Sequence, residues 1–173
     1  GWDGVTIDMQ HGVNDYSDLL PMLQGITRYD PATMVRVPWN DPAIIMKSLD
    51  AGAYGIICPM INTAAECESF VGACRYAPRG YRSTGPIRAV FYAGTDYHEH
   101  ADNTILTFAM IETQEAVDNL NGICSVPGLD AVYIGPSDLS VSIGGSPGGD
   151  QRAPDVMNRI EQTLEACHRH GIK

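Results

Sequence analysis

Short apolar runs alternate with longer amphipathic stretches along the whole chain. Five of the runs are continuous and rich in β-branched residues, which is typical of strands buried in a parallel sheet. The predicted strands cover residues 5–8, 34–37, 55–58, 105–111 and 131–134. Such a pattern predicts an α/β protein in which each strand is followed by helical chain.

Residues that start and stop helices lie between these runs. Asp41 before Pro42 predicts an N-cap followed by proline at the first helical position, and Gly52 can end that helix. Thr63 and Glu66 have the spacing of a capping box. These signals predict two helices that flank the third strand.

Three further helices are predicted from the same kinds of signal. Thr113 can cap a helix whose residues Val117, Leu120 and Ile123 point inward. Pro154 opens a last helix that Gly171 ends. Residues 14–26 also have a helical pattern, with Pro21 predicted in the first turn.

The resulting βα alternation, repeated five times, implies a parallel sheet with right-handed crossovers. Two architectures fit it: a doubly wound open sheet, or part of a (β/α)8 barrel. The first strand is not followed by Gly-x-Gly-x-x-Gly, which disfavours a dinucleotide-binding domain. The glycine-rich stretch 144–149 lacks the Gly-Lys-Ser/Thr ending of a phosphate-binding loop and is predicted to be a plain loop.

Composition narrows the classes of partner. The chain of 173 residues carries a formal charge of −10, which argues against a nucleic-acid or anionic-membrane surface. Its apolar runs are much shorter than the roughly 20 residues that span a bilayer. Five cysteines without a Cys-x-x-Cys spacing predict reduced, mostly buried thiols in a cytoplasmic protein.

Candidate chemistry lies where the predicted strands end, because a βα barrel places its active site at those ends. Glu112 and Asp138 follow two successive strands and could hold a hard divalent cation such as Mg²⁺ or Mn²⁺. Arg36 offers a planar fork for a carboxylate, and His11 is a candidate general base. Asp50 could orient His11 if the fold brings the two together.

The two lysines bear on the reaction class. A Schiff-base aldolase needs an amine inside the site, but Lys47 is predicted to face solvent from the middle of a helix and Lys173 is the last residue. Stabilisation of an enolate by a metal ion fits this chain better than an imine.

Five segments together resemble the HpcH/HpaI family of metal-dependent (class II) pyruvate aldolases, of which 4-hydroxy-2-oxoheptanedioate aldolase is typical. They are DMQHGVND at 8–15, VRVPWND at 35–41, LDAG at 49–52, MIET at 110–113 and GPSDLS at 135–140. The resemblance runs over essentially the whole chain. It implies a (β/α)8 barrel of the phosphoenolpyruvate/pyruvate type that reversibly cleaves 4-hydroxy-2-oxo acids to pyruvate and an aldehyde.

The resemblance also implies roles for residues. Glu112 and Asp138 would ligate Mg²⁺, Mn²⁺ or Co²⁺, and Arg36 would bind substrate and stabilise the enolate. His11 would be the catalytic base, with Asp50 as its partner in a dyad. The expected substrate-binding residues are Arg36, Arg88, Met110 and Ser137.

Two positions depart from the family pattern. Some members have Glu where Gln10 stands, and some have Gln, which helps to hold pyruvate, where Met110 stands. A thioether is a weak acceptor and no donor, so this difference bears on substrate identity or rate.

A complete (β/α)8 barrel needs about 250 residues, whereas five strands are predicted here. Residues 1–173 are therefore expected to form a single barrel domain that covers about strands 2–6 and is truncated at both ends. We expect such a segment to fold poorly and to be weakly active when isolated, and the family resemblance implies a homo-oligomer, a trimer or hexamer, at full length.

Other functions also fit these residues. Oxaloacetate decarboxylation, or citrate-lyase-like or malyl-CoA-lyase-like chemistry, would use the same enolate. A non-catalytic barrel fragment that binds oxo acids is the alternative of another class.

Overall fold

The computed structural model describes residues 1–26, 28–29 and 31–173, and this part of the chain contains five strands and nine helices. The strands are β1 (Gly4–Asp8), β2 (Ala32–Arg36), β3 (Gly55–Cys58), β4 (Leu106–Ile111) and β5 (Ala131–Ile134). The helices are α1 (Tyr16–Ile26), α2 (Pro42–Asp50), α3 (Ala64–Cys74), α4 (Ile87–Ala93), α5 (Tyr97–Thr104), α6 (Gln114–Asp118), α7 (Leu120–Cys124), α8 (Pro136–Ser142) and α9 (Pro154–His170).

All five strands are parallel, and their order in the sheet is the order along the chain, β1-β2-β3-β4-β5. A doubly wound sheet reverses its strand order at a switch point, and this sheet does not. The order is that of successive βα units in a (β/α)8 barrel. The barrel-type fold is therefore confirmed over the doubly wound alternative.

The core lies between one face of the sheet and the helices. Ile7, Val35, Ile56 and Ala109 are buried there. Helix residues of the same hydrophobic cluster include Leu19, Leu23, Ile45, Leu49, Phe70 and Ile123. Because successive strand residues point to opposite faces, the alternate positions form the second face of the sheet. We call it the open face; it includes Thr6, Asp8, Met34, Arg36, Ile57, Phe108, Met110 and Tyr133.

The predicted helix caps are present. The Asp41 side chain accepts a hydrogen bond from the backbone N–H of Ala43 at 2.8 Å. Thr63 and Glu66 form the reciprocal capping box, and Thr113 accepts from the N–H of Ala116 at 3.0 Å. Gly171 ends α9 with a left-handed backbone, φ 69°, a conformation in which glycine has no Cβ penalty.

Two helix predictions were wrong in detail. Pro21 was expected in the first turn, but α1 begins at Tyr16, so this proline is its sixth residue. The carbonyl that loses its donor there belongs to Ser17, which is exposed and can be solvated. The helix predicted after Thr113 is divided at Asn119 into α6 and α7.

All five cysteines are free and buried, and their burial agrees with the prediction. No helix in the described ranges is both long enough and apolar enough to cross a membrane. The long insertion between Arg75 and Asn103 contains α4 and most of α5.

The capping box predicts a measurable loss of stability. Thr63→Ala removes the acceptor for the N–H of Glu66 and should lower the free energy of unfolding by about 1 kcal/mol, measured by urea denaturation. Thr95→Ala, in an exposed turn, is the matched control and should change little. Equal losses in the two variants would mean that the box does not stabilise α3.

Candidate active site

The best-defined ion pair of the open face joins β1 to β2. Asp8 and Arg36 are paired in register, and Nε of Arg36 donates to Oδ1 of Asp8 at 2.9 Å while Nη2 donates to Oδ2. The hydrogen bond from Arg36 lowers the pKa of Asp8, and the same bond raises the pKa of Arg36. Both oxygens of one carboxylate thus bind the Nε–Nη2 edge of the guanidinium, which gives it a defined orientation.

Asp8 also shapes the turn that carries His11. Its Oδ1 accepts the backbone N–H of Gln10 at 3.0 Å and that of His11 at 3.4 Å. One carboxylate therefore holds both the candidate base segment and the candidate substrate-binding arginine. Asp8 was not predicted as a site residue, although its place at the end of the first predicted strand was the available signal.

Glu112 follows β4 and is the most buried carboxylate of the site, with only 2% of its surface exposed. Its Oε1 accepts the backbone N–H of Met60 at 2.7 Å. Met60 has a left-handed backbone, φ 56°, which is uncommon for a residue other than glycine. In this conformation the backbone N–H of Met60 points at the carboxylate of Glu112.

Burial raises the pKa of Glu112, and the negative charge of Asp138 raises it further. The Met60 N–H and the positive charges of Arg36 and His11 act in the opposite direction. Arg36, His11 and Asp138 therefore all lie within electrostatic range of Glu112. Because these residues come from β1, β2, β4 and α8, the sheet must curl so that its distant strand ends approach one another.

Gly135, the residue after β5, allows Glu112 to lie where it does. A Cβ at this glycine would be 2.5 Å from Oε2 and 2.7 Å from Cβ of Glu112. Real side chains do not approach so closely, so any larger residue would displace the glutamate. Asp138 follows in the first turn of α8 and is exposed.

The donor set fits a hard cation. Oε2 of Glu112 accepts no hydrogen bond from the described residues, and the neighbouring Asp138 supplies a second carboxylate that repels it when no cation is bound. Carboxylate oxygens are the ligands that Mg²⁺ and Mn²⁺ prefer. Within the described ranges, no group of three or more His, Cys, Asp or Glu residues is arranged to hold a metal ion.

Ser137 lies between Gly135 and Asp138, at the start of α8. Its hydroxyl accepts the backbone N–H of Gly148 at 3.2 Å, so in this structure it holds the glycine-rich loop 144–149 beside the site. This loop was predicted as a plain connection, and it has no helix or strand in the structure.

Among the described residues, no hydrogen bond or ion pair joins Asp50 to His11. It is the last residue of α2, which begins at the carboxyl edge of the sheet and runs towards the other edge. Its Oδ1 accepts from Nη2 of Arg82 at 2.7 Å, and that arginine side chain is fully buried. Arg82 also donates to the hydroxyl of Tyr97 at 3.1 Å and lies 4.6 Å from the ring centre of Tyr76.

Two expected substrate-binding residues also have other surroundings. Arg88 donates to the carbonyl oxygen of Ala51 and to the hydroxyl of Tyr92, both near the end of α2. Met110 lies on the open face but is only 2% exposed. The structure therefore gathers His11, Arg36, Glu112, Asp138 and Ser137 at one edge of the sheet and places Asp50 and Arg88 together elsewhere.

Lys47 is exposed on α2, and its Nζ lies 4.4 Å from the ring centre of Tyr16. This location agrees with the prediction that it faces solvent. Lys173 pairs through its backbone with Asp130 and Val132, beside β5.

Known proteins are similar to this chain over nearly its whole length. Hydroxypyruvate/pyruvate aldolase of Rhizorhabdus wittichii is 45% identical over 170 residues, which are 98% of this chain and 68% of that protein. The 5-keto-4-deoxy-D-glucarate aldolase of Escherichia coli is 34% identical over 173 residues, 99% of this chain and 67% of that protein. The chain thus spans about two thirds of the length of these relatives.

A solved structure is also similar to this chain over nearly its whole length. An HpcH/HpaI aldolase/citrate lyase family protein from Burkholderia cenocepacia J2315 superposes with a TM-score of 0.90 at 31% identity, covering 99% of this chain and 69% of that one. The sequence profile of the family described as HpcH/HpaI aldolase/citrate lyase matches residues 1–173. The chain therefore belongs to the HpcH/HpaI aldolase/citrate lyase family of lyases.

Proposed function

We propose that this lyase cleaves a 4-hydroxy-2-oxo acid reversibly to pyruvate and an aldehyde, with Mg²⁺, Mn²⁺ or Co²⁺ held by Glu112 and Asp138. The observation that carries the proposal is the buried Glu112 carboxylate, which faces a second carboxylate beside Arg36 and His11. The printed names of the two aldolase relatives, one of which includes pyruvate, support the same substrate class.

A divalent cation in this site would supply Lewis-acid polarisation of the substrate oxygens. The chain's own groups account for the remaining chemistry. The guanidinium of Arg36 is positively charged at neutral pH, and it faces the edge where an anionic 2-oxo acid would bind. His11 is exposed at the same edge and can accept the proton of the C4 hydroxyl.

Removal of that proton lets the C4–O bond become a carbonyl while the C3–C4 bond breaks. The bonding electrons pass to C3 and give the enolate of pyruvate, whose negative charge Arg36 is placed to stabilise. Protonation of C3 then releases pyruvate. Asp50 is given no step here, because its hydrogen bond among the described residues is to Arg82 and not to His11.

We also propose that the protein is cytoplasmic and forms a homo-oligomer. Five buried free thiols suit a reducing compartment and support a cytoplasmic location. Ile87 and Phe91, four residues apart on α4, are 76% and 80% exposed. Such an apolar pair on one helix face supports a homo-oligomer.

Loss of either carboxylate should abolish metal-dependent turnover. Glu112→Gln and Asp138→Asn should each lower pyruvate release by at least about a hundredfold, since a single carboxylate holds the cation poorly. The loss of turnover is measured by a coupled assay of pyruvate release with added Mg²⁺, Mn²⁺ or Co²⁺. The substrate panel consists of 4-hydroxy-2-oxo acids that would release different aldehydes. Oxaloacetate and acyl-CoA thioesters in the same panel separate the related enolate reactions.

Glu165→Gln, on the exposed side of α9, is the matched control and should leave turnover unchanged. Undiminished, EDTA-sensitive activity in both Glu112→Gln and Asp138→Asn would contradict the assignment. Binding of pyruvate without turnover of any substrate would favour the non-catalytic alternative.

The raised pKa of Glu112 predicts a pH-dependent stability effect in metal-free protein. The folded state holds the proton more tightly than the unfolded state, so stability falls as pH rises from the ordinary value of 4.5 through the raised one. Glu112→Gln, which keeps an acceptor for Met60, should therefore be more stable than wild type at neutral pH. The difference should vanish below pH 4.5, as thermal melts in EDTA would show.

Gly135→Ala should weaken cation binding without touching a ligand. The new Cβ would fall 2.5 Å from Oε2 of Glu112 and push the carboxylate away. Calorimetric titration with Mn²⁺ should show an affinity at least about tenfold lower. Gly25→Ala, which meets no atom within 4 Å, is the control; if both variants bind Mn²⁺ like wild type, the close approach has no functional importance.

A further inference from the structure

Tyr133 is a polar side chain of the open face to which the proposed reaction gives no role. It lies in the middle of β5, where its neighbours Val132 and Ile134 line a cavity with Leu164 and Cys167 of α9. Since successive strand residues point to opposite faces, Tyr133 projects to the side away from α9. It is 46% exposed there.

The strand register places this side chain in the same row as the candidate metal ligand. Tyr133 is paired with Met110, and each strand reaches the site two residues later, at Gly135 and Glu112. Residues two apart share a face, and a Cβ at Gly135 would point directly at Glu112. Tyr133 therefore lies about 7 Å along the strand from the position that touches the buried carboxylate.

The opposite side of the open face presents Arg36. Arg36 and Tyr133 both lie on the open face, on β2 and β5, which are not neighbours in the sheet. The negative charge that Tyr133 carries when ionised contributes to the raised pKa of Arg36, which agrees with an approach of the two side chains across this face. Asp8 occupies Nε and one N–H of Nη2 of Arg36. Within the described residues, Nη1 of Arg36 and the hydroxyl of Tyr133 have no hydrogen-bond partner.

Two unused donors on the same face of the sheet suit an anionic oxygen. A phenol O–H donates one hydrogen bond, and the remaining guanidinium N–H groups donate others. Met34, Phe108 and Met110, which lie on the same face, are apolar. Because apolar surroundings have a low dielectric constant, a hydrogen bond from these donors to a charged group is strengthened there.

We propose that Tyr133 is a substrate-binding residue, whose hydroxyl, together with Nη1 of Arg36, donates to an anionic oxygen of the bound 2-oxo acid. This inference rests on the proposed function for the class of ligand. It adds a second donor on the open face besides Arg36, from the middle of β5, where no site residue was predicted.

Tyr133→Phe removes the hydroxyl and keeps the ring. A hydrogen bond to a charged group contributes about 1.5–3 kcal/mol, so the dissociation constant of pyruvate, measured by calorimetry in the presence of Mn²⁺, should rise at least about tenfold. KM for a cleaved 4-hydroxy-2-oxo acid should rise in parallel, with kcat changed much less, because the oxygen is bound in the ground state as well.

Tyr29→Phe, which alters a phenol that is 76% exposed before β2, is the control and should bind pyruvate like wild type. Thermal melts of Tyr133→Phe should match those of wild type, which separates lost binding from lost folding. Unchanged pyruvate affinity in this variant overturns the proposal, as does weakened affinity that follows only from a lower melting temperature.

The binding measurement also separates this proposal from the proposed function. If wild type binds pyruvate but cleaves no substrate, the aldolase assignment fails, and the ratio of affinities still decides the role of Tyr133. If Glu112→Gln abolishes turnover while Tyr133→Phe changes neither affinity nor KM, the function stands and this inference falls. A wild-type protein that binds no pyruvate in the presence of Mn²⁺ overturns both.

Discussion

The site depends on a carboxylate that is held out of water next to another carboxylate. Glu112 is almost completely buried at the end of β4, and both burial and the charge of Asp138 oppose its ionisation. The backbone N–H of Met60, a residue with a left-handed backbone, donates a hydrogen bond to this carboxylate. Gly135 leaves room for the carboxylate because it has no side chain. A fold that maintains such an arrangement carries a local cost that a bound cation would offset.

A second fixed group faces this carboxylate from across the open face. Asp8 neutralises part of the charge of Arg36 but orients its guanidinium, and the same aspartate holds the turn before His11. The site therefore has an anionic side for a cation and a cationic side for a substrate anion. Because the strands are parallel and sequential, these sides come from separate βα units that meet only at the carboxyl edge.

Strand limits and helix ends were well predicted where they depend on residues that are neighbours in the sequence. The limits of β3 and β5, the capping box at Thr63 and the left-handed stop at Gly171 all follow from neighbouring residues, and the structure confirms them. Pro21 was misplaced because a proline within an exposed helix turn looks the same in sequence as one at the helix start. Asn119, which divides α6 from α7, gave no strong breaking signal either.

Residues whose role depends on tertiary contacts were harder to predict. Asp8 could equally have been a helix cap, and only the pairing of β1 with β2 places it against Arg36. The partner of Asp50 is an arginine from the insertion before β4, 32 residues away, which no spacing in the sequence indicates. Tyr133 could be recognised only when the register and the orientation of β5 towards α9 were known.

The central claim is that Glu112 and Asp138 hold a divalent cation, and anomalous diffraction from crystals grown with Mn²⁺ tests it most directly. The account predicts a manganese peak within bonding distance of both carboxylates, at the edge where Arg36 and His11 lie. A fully occupied peak elsewhere, or the absence of a peak between Glu112 and Asp138 at saturating Mn²⁺, would contradict it.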